Sequence, residues 1–442
     1  MSNEHLMEIM LAELNLHAAF EKVYANKGAA GIDKVTVQGL EEQIRKEWNI
    51  IRGQLLEGTY KPKPVRRVEI PKPNGGVRLL GIPTVMDRYI QQAMLQVLNP
   101  IFDPEFSEHS YGFRPNRSAH DAVRQARKYI LEGHDYVVDI DIEKFFDKVN
   151  HDILMNLVGK KIRDKRMLKL IGSYLRSGIM TEGVCIISEE GTPQGGVISP
   201  LLANILLDEL DKEITSRGHK FVRYADDCNI YVKSEKAGIR VKESITRFIA
   251  KKLKLKVNEE KSAVDKPENR KFLGFSFWRD KEDVRIVISM QSQKRVKDKI
   301  RELTNPVNGR SMEDKIKSVN QYIIGWLGFY SLSESEYRIN LIDCWLRRRM
   351  RMCQWTNWKK PRTKIRELIN LGLSANTAYK AGNSRKGNWR SAISASLHRA
   401  MSNKYWKQRG LVNLVERYFE IRENWRTAVY QTGTYGGVRG RG

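Results

Sequence analysis

Two adjacent aspartates, Asp226 and Asp227, lie between two short runs of alternating apolar and polar residues. The runs, residues 220–224 and 228–233, have the period of two that is typical of paired β-strands. The two acids are therefore expected at the tip of a hairpin. Aspartate pairs at turns are common and mostly solvated, so this pair alone is weak evidence for chemistry.

A third aspartate, Asp141, follows another strand-like segment. Val137, Asp139 and Asp141 alternate onto one face of that strand. If the strand lies beside the hairpin, Asp141 meets the aspartate pair, and three clustered carboxylates repel one another unless divalent cations lie between them. Two Mg²⁺ ions about 3.5–4 Å apart can activate an attacking hydroxyl and stabilise a leaving pyrophosphate. The three acids thus predict a two-metal site for phosphoryl transfer, facing an open cleft.

The elements that must position these acids are helices and hairpins that interleave without βαβ regularity. A hairpin is expected over 65–84, with its turn at 71–76. Helices are expected within 1–60, where a glycine-rich loop at 26–33 interrupts them, and over 85–102. Two more helices are expected with serine N-caps, one over 118–133 capped by Ser118 and one that begins after Ser199. A last hairpin at 271–289 is followed mainly by helices. The fold class is predicted as α+β, with a largely antiparallel sheet and an all-α C-terminal unit.

Charge is distributed unevenly along the 442 residues. The whole chain holds 78 Lys and Arg against 52 Asp and Glu, a net charge of +26, which indicates a polyanionic partner such as nucleic acid. Residues 291–442 contribute 31 basic and 11 acidic residues, a net charge of +20, together with seven of the nine tryptophans. We therefore expect a domain boundary near residue 290 and a basic, aromatic-rich unit that clamps nucleic acid.

The cysteines and the apolar runs restrict the compartment. Cys185, Cys228, Cys344 and Cys353 lie far apart and form no C-x-x-C motif, so reduced thiols are expected, without a disulfide framework or a zinc site. There is no apolar run near about 18 residues, and the first residues include acids where a signal peptide carries bases. We expect a cytoplasmic protein without membrane contacts.

The motifs around the three aspartates resemble those of bacterial group II intron-encoded reverse transcriptases, also called maturases. YADD at 224–227, within FVRYADDCNIYV, is the signature of reverse transcriptases. Further matching motifs follow in the family's order at 66–93, 109–123, 137–154, 191–211, 255–262, 271–277 and 320–330. The resemblance covers roughly residues 10–420 and is greatest to the class C type, which lacks an endonuclease domain.

The resemblance implies a right-hand polymerase with an antiparallel sheet in its fingers and palm and an all-α thumb. It divides the chain into an N-terminal extension of the fingers at 1–60, reverse transcriptase fingers and palm at 61–290, a thumb or maturase X domain at 291–375, and a small helical DNA-binding region with a basic tail at 376–442. It identifies Asp141 as the first palm carboxylate, completed by Asp226 and Asp227, with the backbone carbonyl of Ile142 sharing a metal ion. Asp139 matches no ligand position of the family.

The resemblance also implies a nucleotide pocket. Lys72 and Arg78 match bases that hold the incoming triphosphate, and Gln194 matches a residue that lines the pocket. Phe146 matches the bulky side chain that rejects a ribose 2′-OH, with an ordinary core aromatic as the alternative. Lys261 matches a lysine that protonates pyrophosphate, with a solvated lysine as the alternative.

The C-terminal part is expected to bind RNA through the basic amphipathic helix 339–360. The candidate contacts are Arg347, Arg348, Arg349, Arg351, Lys359 and Lys360. Trp326 and Tyr330, four residues apart in the thumb motif, fit helix packing and nucleic-acid contact equally well. After residue 290 there are one histidine, His398, and two cysteines, so no zinc-dependent HNH endonuclease is expected.

The implied function is an RNA-directed DNA polymerase that uses dNTPs and two Mg²⁺ ions per site, with Mn²⁺ as a substitute. The expected partners are group II intron RNA, an RNA template paired with a DNA primer, and target DNA, bound by a monomer. The protein would also assist intron splicing, and intron mobility by target-primed reverse transcription. The alternatives are a host-adopted reverse transcriptase for defence or diversity generation, and an RNA-binding maturase that acts only in splicing.

Overall fold

The computed structural model describes residues 4–71, 77–177, 179–181, 184–186, 191, 195–280, 283–306 and 309–431, and excludes the side chains of 78, 179–181, 184–186 and 425–431. The chain divides into two compact units between Arg270 and Lys271. Among the helices described, none is long and apolar enough to cross a membrane. Cys228, Cys344 and Cys353 carry free thiols, as expected.

The first unit consists of helices packed around two four-stranded sheets. Its helices are α1 (Leu6–Met10), α2 (Glu13–Ala25), α3 (Leu40–Glu57), α4 (Val85–Phe102), α5 (Ala119–Leu131), α6 (Phe145–Lys148), α7 (His151–Gly159), α8 (Lys165–Leu175), α9 (Ser199–Ser216) and α10 (Glu235–Phe248), which continues into a π-helical turn, Ile249–Leu253. Its strands are β1 (Val65–Pro71), β2 (Val77–Ile82), β3 (Tyr136–Ile140), β4 (Ile179–Thr181), β5 (Val184–Ile186), β6 (Lys220–Tyr224), β7 (Asp227–Val232) and β8 (Ala263–Asp265).

The two sheets differ in strand direction. The N-terminal sheet has the order β2-β1-β4-β5, and its β1–β4 pair is parallel. The central sheet has the order β6-β7-β3-β8, and all its pairs are antiparallel. The expectation of a largely antiparallel α+β fold is therefore confirmed. The hairpin expected over 65–84 is present as β1 and β2, while most of its predicted turn lies outside the described residues.

The two predicted N-caps have different outcomes. Ser118 accepts a hydrogen bond from the backbone N–H of Asp121, whose side chain accepts one from the Ser118 N–H, so the predicted N-cap of α5 is a full capping box. Ser199 was expected in the same role, and this prediction is wrong by one position. Ile198 occupies the cap, and Ser199 is the first residue of α9, followed by Pro200.

The core of the first unit joins the central sheet to the helices around it. Buried α9 residues such as Leu206 and Leu210 share this core with Val138 and Ile140 of β3 and Ile230 of β7. Helices α5 and α9 contact β6, while α10 contacts β3, β7 and β8. The central sheet is thus held rigidly by helices, which suits a platform for functional groups at its end.

The second unit begins with a hairpin and continues as helices. Its strands are β9 (Phe275–Asp280) and β10 (Asp283–Ile288), and its helices are α11 (Met290–Leu303), α12 (Met312–Tyr330), α13 (Glu336–Asn357), α14 (Pro361–Asn370), α15 (Ala375–Gly382), α16 (Asn388–Ser391), α17 (Ala395–Ala400), α18 (Asn403–Gln408) and α19 (Leu414–Gln431). The hairpin expected to close the first unit therefore opens the second one. Its last residue, Ile288, belongs to the helical core with Val296, Ile323 and Leu346, which explains why the compact boundary precedes residue 290.

Candidate metal and catalytic site

The aspartate pair lies on the turn between β6 and β7, as predicted. Tyr224 pairs with Asp227, which leaves Ala225 and Asp226 as a two-residue hairpin loop. Ala225 has a φ of 57°, a left-handed conformation that costs an ordinary residue about 1–2 kcal/mol. Surrounding contacts must therefore hold this turn, residues 224–227, which we call the aspartate turn.

The third aspartate reaches the same end of the central sheet through strand register. Ile140 at the end of β3 pairs with Cys228 of β7, so the next residue, Asp141, lies opposite Asp227. Asp227 is exposed, and Asp141 and Asp226 are partly exposed. The register thus brings the three acids, which come from distant parts of the chain, to the same accessible end of the central sheet.

The strand bearing Asp141 is anchored by the segment 256–262. The backbone N–H of Asp141 donates to Ser262 Oγ at 2.9 Å, and its carbonyl accepts from the Asn258 N–H at 2.8 Å. The Glu143 N–H donates to the Lys256 carbonyl at 2.8 Å. These hydrogen bonds flank Ile142, whose own carbonyl takes no part in them. That carbonyl is the predicted backbone metal ligand.

Lys261 and Asp139 carry charges next to the carboxylates. The Lys261 ammonium lies 3.7 Å from Asp141 Oδ1, although about two thirds of the lysine side chain is exposed. Arg270 binds Asp139 Oδ2 with its Nη2 at 2.6 Å, and its Nη2 also donates to the Lys261 carbonyl at 2.9 Å. Asp139 is therefore occupied by an ion pair, consistent with its omission from the predicted ligand set.

The donor set suits Mg²⁺ chemically, because carboxylate and carbonyl oxygens are the ligands this ion prefers and its shell is commonly completed by water and substrate phosphates. Within the described parts of the chain, however, no three His, Cys, Asp or Glu side chains form a closed group able to hold an ion. The strand register places the three aspartates near one another, but their side chains do not form a complete coordination shell. Such an arrangement fits a site that is completed by its substrate.

Behind the aspartate turn lies a buried polar group, the Arg223 cluster, made of Gly112, Asn204, Asp211 and Arg223. Arg223 and Asp211 are fully buried, and the guanidinium binds both carboxylate oxygens, Nε to Oδ1 at 2.7 Å and Nη2 to Oδ2 at 2.6 Å. Although burial lowers the pKa of Arg223, the charge and hydrogen bonds of Asp211 outweigh this effect and raise it, so the guanidinium stays charged. Sequence reasoning did not identify this cluster as functional, because its partners come from three separate segments.

The predicted nucleotide-pocket residues are placed only in part. Lys72 and Gln194 lie outside the described residues, and Arg78 is described for its backbone alone, where it pairs with Ile70. Phe146 is half-buried and meets Phe145 edge-to-face, with ring centroids 5.1 Å apart. Its position fits neither a fully buried core residue nor a fully free side chain, so its role as a steric gate stays a prediction.

The arginine run of α13 divides between the core and the surface. Arg347 is 4% exposed and binds Asp343 at 2.7 Å, and Arg351 is 2% exposed. Arg351 donates to the Ala392 carbonyl, and burial lowers its pKa to about 10. The expectation that Arg347 and Arg351 contact nucleic acid is corrected here, because residues four apart share one helix face and this face is buried.

The other basic candidates remain at the surface. Arg348 stacks over the Trp389 ring, 4.0 Å from its centroid, and is half-buried. Arg349 is also half-buried and donates to Thr304 Oγ1 at 3.0 Å, whereas Lys359 and Lys360 are exposed. Exposed ammonium groups such as the last two are directly available to phosphates.

Trp326 and Tyr330 of the thumb motif pack against each other, with ring centroids 4.7 Å apart. The Tyr330 hydroxyl donates to Ser292 Oγ at 2.9 Å, and that Ser292 hydroxyl donates to the Gly274 carbonyl. Tyr330 therefore has a clear packing function that joins α12 to the first turn of α11 and to the segment before β9. Trp326 is half-buried beside it.

Comparisons with known proteins agree with the motifs. Residues 70–277 match the family described as reverse transcriptase (RNA-dependent DNA polymerase), and residues 293–370 match the maturase-specific domain of group II introns. Protein YkfC of Escherichia coli K12 is 35% identical over 280 residues, which cover 54% of this chain and 74% of YkfC. The group II intron-encoded protein LtrA of Lactococcus lactis is 34% identical over 328 residues, which cover 59% of this chain and 54% of LtrA.

A solved structure titled as a partial Cas6-RT-Cas1–Cas2 complex is 26% identical, with a TM-score of 0.37 over 56% of this chain and 42% of that one. This structural similarity is too low to support an argument, and the chain spans only about half the length of LtrA. The two matching domains and the relation to YkfC nevertheless show the family. The chain belongs to the reverse transcriptases of the group II intron type, in which a maturase-specific domain follows the RNA-dependent DNA polymerase region.

Proposed function

We propose that Asp141, Asp226 and Asp227 hold two Mg²⁺ ions, for which Mn²⁺ can substitute, and that the protein uses this site to extend a DNA primer on an RNA template. The observation that carries the proposal is the register of β3 on β7, which sets Asp141 opposite Asp227 at an accessible sheet end. Divalent ions at such a site lower the pKa of the primer 3′-hydroxyl and neutralise charge on the pyrophosphate.

The chain's own groups around the carboxylates have distinct roles in this proposal. The Ile142 carbonyl supplies a further oxygen ligand, because the neighbouring strand pairing uses the carbonyl of Asp141 and the N–H of Glu143 instead. Lys261 has its ammonium beside Asp141, within the region where pyrophosphate forms, and donates a proton to that leaving group. Ser262 and Asn258 fix the backbone from which Asp141 projects.

The nucleotide pocket belongs to the same proposal. Lys72 and Arg78 bind the triphosphate, Gln194 lines the pocket, and Phe146 excludes the ribose 2′-OH. Support comes from the order of the family motifs and from Phe146, which follows the Asp141 strand by one short turn and keeps part of its surface exposed. A dNTP is therefore the preferred substrate.

We further propose that the protein binds group II intron RNA, assists its splicing and carries out target-primed reverse transcription at target DNA. The maturase-specific match at 293–370 and the net charge of +20 after residue 290 support an RNA-binding role. Arg348, Arg349, Lys359 and Lys360 remain the candidate contacts. This proposal also includes the class C type, a monomeric state and a cytoplasmic location. It keeps the division of the chain into domains at 1–60, 61–290, 291–375 and 376–442.

Primer extension on an RNA template with dNTPs and Mg²⁺ tests the site. Asp226→Asn combined with Asp227→Asn should lower the extension rate at least about 1,000-fold, because the metal site supplies several kcal/mol of transition-state stabilisation. Asp139→Asn is the matched control, since it removes a carboxylate two residues from Asp141 on the same strand. Extension by the double variant at the wild-type rate would contradict the site assignment, and intron RNA affinity should be unchanged in both variants.

A further inference from the structure

The Arg223 cluster reaches the aspartate turn through a third contact of the guanidinium. Besides its two bonds to Asp211, Arg223 donates from Nη1 to the Ala225 carbonyl and to Asn204 Oδ1, both at 2.9 Å. Ala225 is the first residue of the hairpin loop, so its carbonyl belongs to the peptide that joins Ala225 to Asp226. One buried side chain therefore binds the central peptide of the turn that carries the aspartates.

The orientation of that peptide is the least constrained feature of a two-residue hairpin loop. A positive φ at Ala225, without one at Asp226, is the type II′ pattern. Type I′ has positive φ at both positions, and the two types differ chiefly by a flip of the central peptide. Such a flip changes the direction in which the backbone enters Asp226. A hydrogen bond to the Ala225 carbonyl selects one of the two orientations.

Close backbone packing also holds the turn. A Cβ added at Gly112 would lie 2.3 Å from the Ala225 nitrogen and 2.9 Å from the Tyr224 carbonyl carbon. The Gly112 carbonyl accepts a hydrogen bond from Asn204 Nδ2 at 2.9 Å, so Asn204 links this packing surface to Arg223. The β6 backbone is held in the same way, since the Arg223 N–H donates to the His109 carbonyl at 2.9 Å.

We propose that Arg223, fixed by Asp211 and Asn204, is a positioning residue that holds the central peptide of the aspartate turn in one orientation and thereby aims the two metal-binding aspartates. This inference rests on the proposed function of Asp226 and Asp227. It assigns Arg223 no contact with substrate or metal. Its effect on the reaction passes through the geometry of the carboxylates.

A buried ion pair that serves only folding makes a different prediction. Replacing both partners of such a pair by apolar residues is often neutral for stability, whereas removing one partner leaves an uncompensated buried charge. The double variant Arg223→Met with Asp211→Leu should therefore fold, yet it lacks the donor to the Ala225 carbonyl. Activity separates the two roles, because a purely structural pair would leave the site intact in this variant.

The experiment is primer extension with the full chain at a range of Mg²⁺ concentrations, at a temperature where circular dichroism shows a folded protein. The double variant should show a kcat lower by roughly 10- to 100-fold and need several-fold more Mg²⁺ for half-maximal rate, since a misdirected carboxylate binds cations less well. Arg223→Lys is the second variant. It keeps a buried charge beside Asp211, but a single nitrogen cannot reproduce the fork that reaches three partners.

The proposal is overturned if the folded double variant has the kcat and the Mg²⁺ requirement of the wild type. The same result in folded Arg223→Lys would also overturn it. Should the double variant fail to fold, Arg223→Lys decides alone. The combined Asp226→Asn and Asp227→Asn variant is measured in parallel. If it still polymerises, the proposed function has failed; if it is inactive while both Arg223 variants behave as wild type, only the positioning role has failed.

Discussion

Gly112 offers a direct test of how tightly the aspartate turn is held. In Gly112→Ala the new Cβ would lie 2.3 Å from the Ala225 nitrogen, whereas ordinary contact begins at about 3.4 Å. The obstructing atoms belong to the backbone of the turn, so they cannot move aside by a side-chain rotation. The turn and the segment before α5 must separate by about 1.1 Å, the difference between these two distances.

A shift of about 1 Å at a catalytic group can cost about 100-fold in rate. We therefore expect kcat for primer extension to fall by about two orders of magnitude in Gly112→Ala, with a smaller change in KM for dNTP. Overpacking of this kind costs about 1–3 kcal/mol in stability, so the rate is measured well below the melting temperature.

Gly53→Ala is the matched control. Gly53 lies within α3, and nothing approaches within 4 Å of its added Cβ. Alanine in a helix is more favourable than glycine by about 0.5–1 kcal/mol, so this variant should keep full activity and gain slightly in stability. A folded Gly112→Ala protein with wild-type kcat would refute the argument that the turn position controls the rate.

Two further predictions concern RNA binding and pH. Lys359→Ala combined with Lys360→Ala should weaken intron RNA binding and reduce the slope of log affinity against log salt by about one to two units, since each exposed lysine at a phosphate releases about one counterion; an unchanged slope in filter binding would exclude both lysines as contacts. Burial raises the pKa of Asp87, which accepts hydrogen bonds from Tyr60, Tyr174 and Thr84. Because this folded-state pKa exceeds the unfolded value of about 3.9, the stability from the protonated carboxyl is complete below that value and is lost as pH rises through the folded pKa. The melting temperature of the wild type should thus fall relative to Asp87→Asn as the pH rises above about 4, and parallel curves would contradict this assignment.

Local patterns were sufficient to predict the position of the aspartates. The alternation on both sides of Asp226 fixes a hairpin, and the shared face of Val137, Asp139 and Asp141 fixes a strand, so their meeting needed only the pairing of two short segments. Helix α4 has the predicted bounds, because its apolar residues recur at helical spacing up to Phe102. These features depend on residues close together in the chain.

The features that sequence reasoning missed depend on residues far apart. Asp211 is the last residue of the motif that contains Asn204 and precedes Arg223 by twelve positions, and no period connects these residues with Gly112. A fully buried arginine can be recognised only when its carboxylate partner is found. Arg347 and Arg351 are four residues apart, so helical spacing could have shown that they share a face different from that of their exposed neighbours. The prediction relied instead on the high arginine content of the run and treated all its arginines as exposed.

The position of Lys261 beside Asp141 has a consequence for how the site is filled. In the protein alone, this carboxylate already has a positively charged neighbour at 3.7 Å. A cation that arrives at Asp141 must therefore compete with an ammonium group that the chain itself supplies. If the carboxylates bind divalent ions as proposed, an ion at Asp141 would replace a contact that the chain itself supplies, and the lost ion pair with Lys261 would lower the net free energy gained when that ion binds.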